Sequence, residues 1–425
     1  MNLKKIYSFS SLIISLLLLT LTFYVSEIRE QGLIRDYYSF FYFIFITLIV
    51  YSISIFFVNK KIFFNLFVIL LIIFSILYFF EGFLVYNKLR FFKDTKVQFY
   101  KESKKKDPKI TISVIPQLLK SEKEQIFSLS GVSNSKTIDC NESGYYSIYQ
   151  SDRYGFNNPD KEWDQNEVEY LLVGDSFVQG NCVNRPNDLS SILRYLSNKP
   201  VINIAYKAMG PLMEYSALRE YSNFKVNKIL WFYYEGNDLE DLHQELSNEI
   251  LIKYLLDNNF TQDLMKKQKT INNLLVRNIE YEEIKNEFKF IFFNFLKFTQ
   301  LRNFFLKENL KSIKDTNKDI NYADKISEFE KILKLTKGLA KRNNAELFFV
   351  YLPEYKRFNS DYINENYLLI QRIVENLGIP FIDINEEIFK KEKNPLSLFP
   401  FEIENHYNIE GYRKVAEAVY NFTKD

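Results

Sequence analysis

The chain has 425 residues, with 55 Lys and Arg against 53 Asp and Glu and a formal charge of +2. That length allows two or three domains, and the near-balance of charge excludes a nucleic-acid binder relying on a global basic field. Two cysteines, Cys140 and Cys182, exclude a disulfide-dense scaffold or a multi-cysteine zinc framework, and two histidines, His243 and His406, leave few candidates for imidazole chemistry.

Three stretches near the start, Ile6–Val25, Tyr37–Val58 and Ile62–Phe80, are nearly free of charge. Each is about the 20 residues that a helix needs to cross a bilayer core. No small-residue cleavage site follows the first, so the expected arrangement is a three-helix transmembrane anchor over residues 1–87. Lys4 and Lys5 precede the first span, and Lys60 and Lys61 lie between the second and third. Both pairs on the cytoplasmic side would put the rest of the chain outside. The basic residues after the third span, Lys88 to Lys106, count the other way, but the first helix usually dominates and a long domain translocates despite charge. The expected location is therefore a multi-pass membrane protein with an extracytoplasmic C-terminal domain.

Residues 88–109 read as a basic linker, and 110–425 as the soluble domain. Ile110 to Lys136 shows no clear element. Val168–Val173 is a buried strand ending at Gly174, and Asp188–Ser197 is helical. Val201–Ala205 is a second strand, followed by a helix opening at Pro211, since proline suits the first helical position. Lys228–Tyr234 is a third strand. Helical patterns at Asp324–Arg342 and Tyr362–Leu377 precede strands four and five at Glu346–Tyr351 and Pro380–Ile384, and Ile409–Phe422 closes the domain as an amphipathic helix. Such alternation implies an α/β fold in three layers, a parallel sheet of about five strands flanked by helices. From about residue 239 to 319 it stops. That insertion reads as helices, including Phe288–Leu306, whose polar residues are too frequent for a fourth span; it is expected to pack on the sheet domain.

Four short blocks carry the chemistry. Leu171-Leu172-Val173-Gly174-Asp175-Ser176 places a serine where a buried strand ends, the position at which open α/β sheets bind ligands. Gly210-Pro211 opens a helix and offers a backbone N–H. Gly236-Asn237-Asp238 ends the third strand with a side-chain amide. Glu404-Asn405-His406 precedes the last helix, and a serine nucleophile needs such an imidazole to take its proton, with a carboxylate to orient it. His243, among Glu240, Asp241 and Glu245, suits a polar helix face instead.

In this order the blocks resemble the SGNH/GDSL hydrolase superfamily, over roughly residues 151–425. The segment Ser151-Asp152-Arg153-Tyr154-Gly155-Phe156-Asn157-Asn158 is similar to a lead-in found in membrane-anchored bacterial members. The resemblance implies Ser176 as nucleophile, His406 as base, and an oxyanion hole from the N–H of Ser176, the N–H of Gly210 and the amide of Asn237. Family members usually carry Asp three residues before the histidine, where this chain has Ile403. Glu404 is the expected orienting acid, with Glu402 as substitute. Cys140 and Cys182 fall in one domain outside the spans and are expected to bridge in an oxidising compartment.

The function implied is a serine esterase or O-acyltransferase acting on ester-linked acyl groups, acetyl groups of extracytoplasmic glycans by the resemblance, through an acyl-serine. No metal or organic cofactor is called for. The expected partners are the lipid bilayer and a glycan or other acyl ester, and a transferase would need a separate membrane acyl donor. The alternative is a catalytically silent SGNH-fold protein that binds glycans or acts as a scaffold in surface polysaccharide assembly.

Overall fold

In the computed structural model, the described residues are 3–29, 35–91, 96–121, 124–285, 295, 298, 301, 322–359, 362, 364 and 366–424. They fall into two compact units, Met1–Lys93 with Lys285–Lys318, and Asp94–Ile284 with Asp319–Asp425.

The first unit contains helices α1 (Leu3–Phe23, extended by a π-turn over Tyr24–Arg29), α2 (Arg35–Phe57) and α3 (Lys60–Phe91). Segments Lys5–Ile28, Tyr38–Phe57 and Lys61–Leu84 are long and apolar enough to cross a membrane. Several of their serine and threonine hydroxyls are satisfied within the helix, as hydrocarbon favours. Thr20 donates to the Leu16 carbonyl, Thr47 to that of Phe43 and Ser54 to that of Val50. Between α1 and α2, Ser8 donates to the Ser52 carbonyl and the hydroxyls of Ser11 and Ser52 meet at 2.8 Å. The expected helix Phe288–Leu306 lies outside the described residues except for Phe295, Phe298 and Leu301. These three pack on α3. Leu301 N donates to the buried Glu81 carboxylate (2.7 Å), and the rings of Tyr78 and Phe298 are 4.3 Å apart.

The second unit opens with α4 (Lys96–Lys106), a helix where only a linker was expected. Short strands follow: β1 (Thr111–Ile112), β2 (Gln117–Lys120), β3 (Gln125–Ser128), β4 (Lys136–Ile138) and β5 (Ile148–Gln150). They form a β1-β4-β5 sheet and a β2-β3 hairpin. The main sheet contains β6 (Glu167–Val173), β7 (Val201–Asn203), β8 (Lys225–Tyr234), β9 (Glu346–Leu352) and β10 (Phe381–Asp383), all parallel. Its order is β7-β6-β8-β9-β10. The chain runs outward from β6 to β7 and then crosses back to β8, so a crevice opens beyond the carboxyl ends of β6 and β8.

Alternate strand residues feed two cores. Leu171 and Val173 of β6, Ile229 and Trp231 of β8, and Phe349 and Tyr351 of β9 face one; Tyr170, Leu172, Leu230, Phe232, Phe348 and Val350 face the other. Apolar on both faces, these strands read as continuous hydrophobic runs. The first core is covered by α7 (Pro211–Tyr221), α8 (Asp238–Glu245), α9 (Glu249–Leu256), α10 (Leu264–Lys285), α11 (Tyr322–Arg342) and α12 (Tyr367–Asn376). The insertion as far as α10 thus packs on the sheet domain, through Leu242, Leu251, Tyr254, Ile271 and Leu275. The second core is covered by α6 (Leu189–Ser197) and α14 (Ile409–Thr423), with α5 (Ser176–Gln179) and α13 (Ile384–Glu387) as single turns at strand ends.

Candidate active site

Ser176 begins α5 immediately after β6. Gly174 makes the tight exit from the strand: a Cβ there would lie 2.5 Å from Val178 and 3.3 Å from Phe232, a space no side chain could share. Asp175 caps the turn, its Oδ1 accepting from Phe177 N at 2.9 Å, and Gly180 closes it in the left-handed region (φ 83°). Burial raises the Asp175 carboxyl to about 6, against the pull of the Phe177 N–H and of His406.

His406 arrives from the other end of the chain. Asn408 caps α14 through Gly411 N, and its own N–H donates to the Leu398 carbonyl. Tyr407 is pinned through its hydroxyl to the Pro353 carbonyl at 2.7 Å. The imidazole rests on Phe177, centroids 4.6 Å apart, and Phe177 in turn stacks on Tyr234 at 4.0 Å. His406 Nε2 lies 2.8 Å from Ser176 Oγ. Serine and imidazole are therefore in hydrogen-bond contact, 230 residues apart in sequence.

The acid on the other imidazole nitrogen is Glu142. Its carboxylate oxygens lie 2.9 and 3.0 Å from His406 Nδ1, and Oε2 also accepts from His406 N at 2.8 Å. This corrects the expectation for Glu404. Phe401 and Glu402 both adopt left-handed backbone (φ 54° and 56°) and turn the chain just before it. Glu404 stands 63 % exposed, 3.7 Å from Lys356, while Glu402 is exposed and accepts from Asn394 at 2.9 Å. Glu142 lies on the loop between β4 and β5, in the stretch where sequence patterning is weakest. Its one signal is adjacency to Cys140. The structure joins Cys140 to Cys182, with Cα atoms 5.0 Å apart.

The oxyanion residues divide. Asn237 lines the site, and its Nδ2 donates to Asp241 one helical turn on, at 2.7 Å. Gly210 does not serve as expected. Its N–H donates to the buried Glu245 carboxylate at 2.6 Å, which also accepts from Leu212 N, so Glu245 caps the start of α7. A Cβ on Gly210 would lie 2.8 Å from Asp241 Cβ, so the glycine admits α8 at close range. His243, on α8, is not among the lining residues. Burial raises Glu245 to about 8 and Asp241 to about 7.

Glu142, Ser176, Phe177, Tyr234, Asn237 and His406 line a cavity of about 350 Å³, as do Glu354, Lys356 and Glu404. A serine ending the first strand of a 2-1-3-4-5 parallel sheet, met by a histidine before the last helix, decides the architecture. The fold is a three-layer α/β fold around a five-stranded parallel sheet. No family model and no curated protein matches the chain. Among solved structures it is distantly similar to a protein described as lipolytic and of the G-D-S-L family from Desulfitobacterium hafniense, at 14 % identity, 60 % of this chain, 99 % of that one and a TM-score of 0.35. It is also similar to an acetyl xylan esterase, at 11 % identity, 60 % of this chain, 100 % of that one and a TM-score of 0.33.

Proposed function

We propose that this chain is a membrane-anchored serine esterase or O-acyltransferase in which Ser176, His406 and Glu142 form the catalytic triad. The observation that carries the reading is the relay itself, Ser176 Oγ to His406 Nε2 at 2.8 Å and His406 Nδ1 to Glu142 at 2.9 Å. Ser176 Oγ attacks the ester carbonyl as His406 Nε2 takes its proton. Glu142 accepts from Nδ1, fixes the tautomer and stabilises the imidazolium. The tetrahedral intermediate collapses to an acyl-serine, and the departing alcohol takes the proton back from His406. Water or a sugar hydroxyl then attacks, again deprotonated by His406. The Ser176 N–H and the Asn237 amide, once turned from Asp241, serve the oxyanion; Gly210 does not.

A cavity at the small end of the range for ligand sites suits a short acyl group, and acetyl esters of extracytoplasmic glycans are the proposed substrates. An external location fits the Cys140–Cys182 bridge, since disulfides persist in oxidising compartments. In the test, a fluorophosphonate probe should label Ser176 of the full-length protein. Ser176→Ala and His406→Ala should each abolish turnover of an aryl acetate, and the double variant should be no worse, because the residues act as one unit. Additive losses would refute the assignment. Alkaline phosphatase fused after Asp425 should be active; an active cytosolic reporter there would reverse the topology.

A further inference from the structure

We propose that the Cys140–Cys182 disulfide is a positioning element of this site: it holds the Glu142 carboxylate on His406, so that reduction disables the base while leaving the fold in place. The proposal rests on the esterase reading above.

Glu142 has no regular secondary structure to hold it. β4 ends at Ile138 and β5 begins at Ile148. Between them the chain pairs with itself at the base of the loop, Asp139 N to the Ser147 carbonyl (2.8 Å) and Ser147 N to the Cys140 carbonyl (2.9 Å). Asp139 is fixed from below, since its buried carboxylate meets Lys207 Nζ at 2.5 Å and accepts from Ser113 Oγ at 2.6 Å. Glu142 lies beyond this rung.

The crosslink enters at the rung itself. Cys182 belongs to the turn just after the nucleophile's helix, and its Sγ lies 3.8 Å from His406 Nδ1, the nitrogen that Glu142 also contacts. The bridge therefore ties the base of the acid's loop to the segment that carries the nucleophile. Two residues of chain reach about 7 Å at most, so the backbone of Glu142 stays within that distance of a crosslinked Cα. Once the bridge is opened, Glu142 depends on the hydrogen-bonded rung at the loop base and on its own bonds to His406, with no covalent tie to the nucleophile's segment.

Opening the bridge takes two electrons and two protons from a dithiol reductant, which becomes a cyclic disulfide as Cys140 and Cys182 become thiols. A thiol beside Nδ1 is a weak hydrogen-bond partner and carries no charge to stabilise imidazolium. Displacement of a catalytic group by about 1 Å can cost about 10²-fold in rate. The chain would thus remain inactive in a reducing compartment and switch on where the bridge forms.

The experiment uses the full-length protein in detergent, with p-nitrophenyl acetate as substrate, fluorophosphonate labelling of Ser176 as a second readout, and dithiothreitol as reductant. The native chain, the Cys140→Ser/Cys182→Ser double variant and Glu142→Gln are compared, oxidised and reduced. Reduction or double substitution should lower kcat about 10²-fold with KM changed less than twofold, slow labelling in parallel, and add no further loss to Glu142→Gln. Full turnover after reduction overturns the proposal. So does an equal additional loss in Glu142→Gln or a large rise in KM, either of which would make the bridge a general stabiliser. An oxidised native chain that neither turns over nor takes the probe would bring down the esterase reading itself, and this inference with it.

Discussion

Two of the glutamates that border the cavity, Glu142 and Glu404, differ in what holds them. Glu142 bonds His406 through both the backbone N–H and Nδ1, whereas Glu404 faces solvent beside Lys356. Glu142→Gln is expected to lower kcat by about 10²- to 10⁴-fold, as loss of a triad acid does, and Glu404→Gln by no more than a few-fold; steady-state kinetics on an aryl acetate decide between them. The meeting of Ser176 and His406 was legible from sequence because each lies in a short block with its own local chemistry. The acid was not, since the contact spans 264 residues and leaves no spacing to read. A neighbouring glutamate in the histidine block was the natural choice, and two left-handed residues at 401 and 402 undo it. Gly210 shows the same limit: an open N–H in sequence is closed in space by Glu245 from another helix. Glu214, fully buried, meets no hydrogen-bond donor among the described residues, and burial together with Asp238 and Asp175 holds its carboxyl well above the usual range. A neutral amide of the same shape should serve there at least as well. Glu214→Gln should therefore match or exceed the native melting temperature at about pH 8, and a drop of several degrees would contradict a protonated Glu214.

At the scale of elements, the long strands and their helices follow from apolar runs and their punctuation, so β6, β8 and β9 fall close to their expected positions. β1 to β5 do not, because strands of two to four residues carry too little periodicity, and their burial is set by what they dock on. Yet this region delivers the acid and one cysteine of the bridge. Its attachment depends on the lead-in segment. Gly155 has φ 89°, and a Cβ there would lie 2.1 Å from the Gly131 carbonyl oxygen. Gly155→Ala should cost about 3 kcal/mol from backbone strain and overlap together, measured by chemical denaturation. Asn408→Ala removes the cap of α14, at about 1 kcal/mol, and with it part of the frame that fixes His406. Its kcat should fall while Ser176 still reacts with the probe.

Across the whole molecule, several carboxyls of the second unit are raised by burial: Asp152 and Asp175 to about 6, Asp241 to about 7 and Glu245 to about 8. Between about pH 5 and about pH 8 the folded chain keeps protons that the unfolded chain has released, so stability falls as pH rises through that window. Lys96 works in the opposite sense. Burial and the neighbouring Lys207 lower it to about 7, so above that pH the folded chain has given up a proton that the unfolded chain retains, and its contribution to stability rises. Thermal melts should show the highest melting temperature near pH 5 and a decline that continues to about pH 8, less steep above pH 7 where Lys96 opposes it. A melting temperature that climbs steadily from pH 5 to 7 would contradict this assignment of charges.

The span between Glu142 and His406 also sets a timetable. A polypeptide is made from its amino end, so the acid emerges first, the nucleophile some thirty residues later, and the base only after the long insertion and the last strand of the sheet. Until then Ser176 is an ordinary alcohol at the end of an unfinished sheet, with no imidazole to activate it. Ribosome-arrested chains ending before His406 should ignore the fluorophosphonate probe, and oxidised chains carrying α14 clear of the ribosome should take it up. Reactivity is thereby withheld from the nascent protein until its architecture is complete.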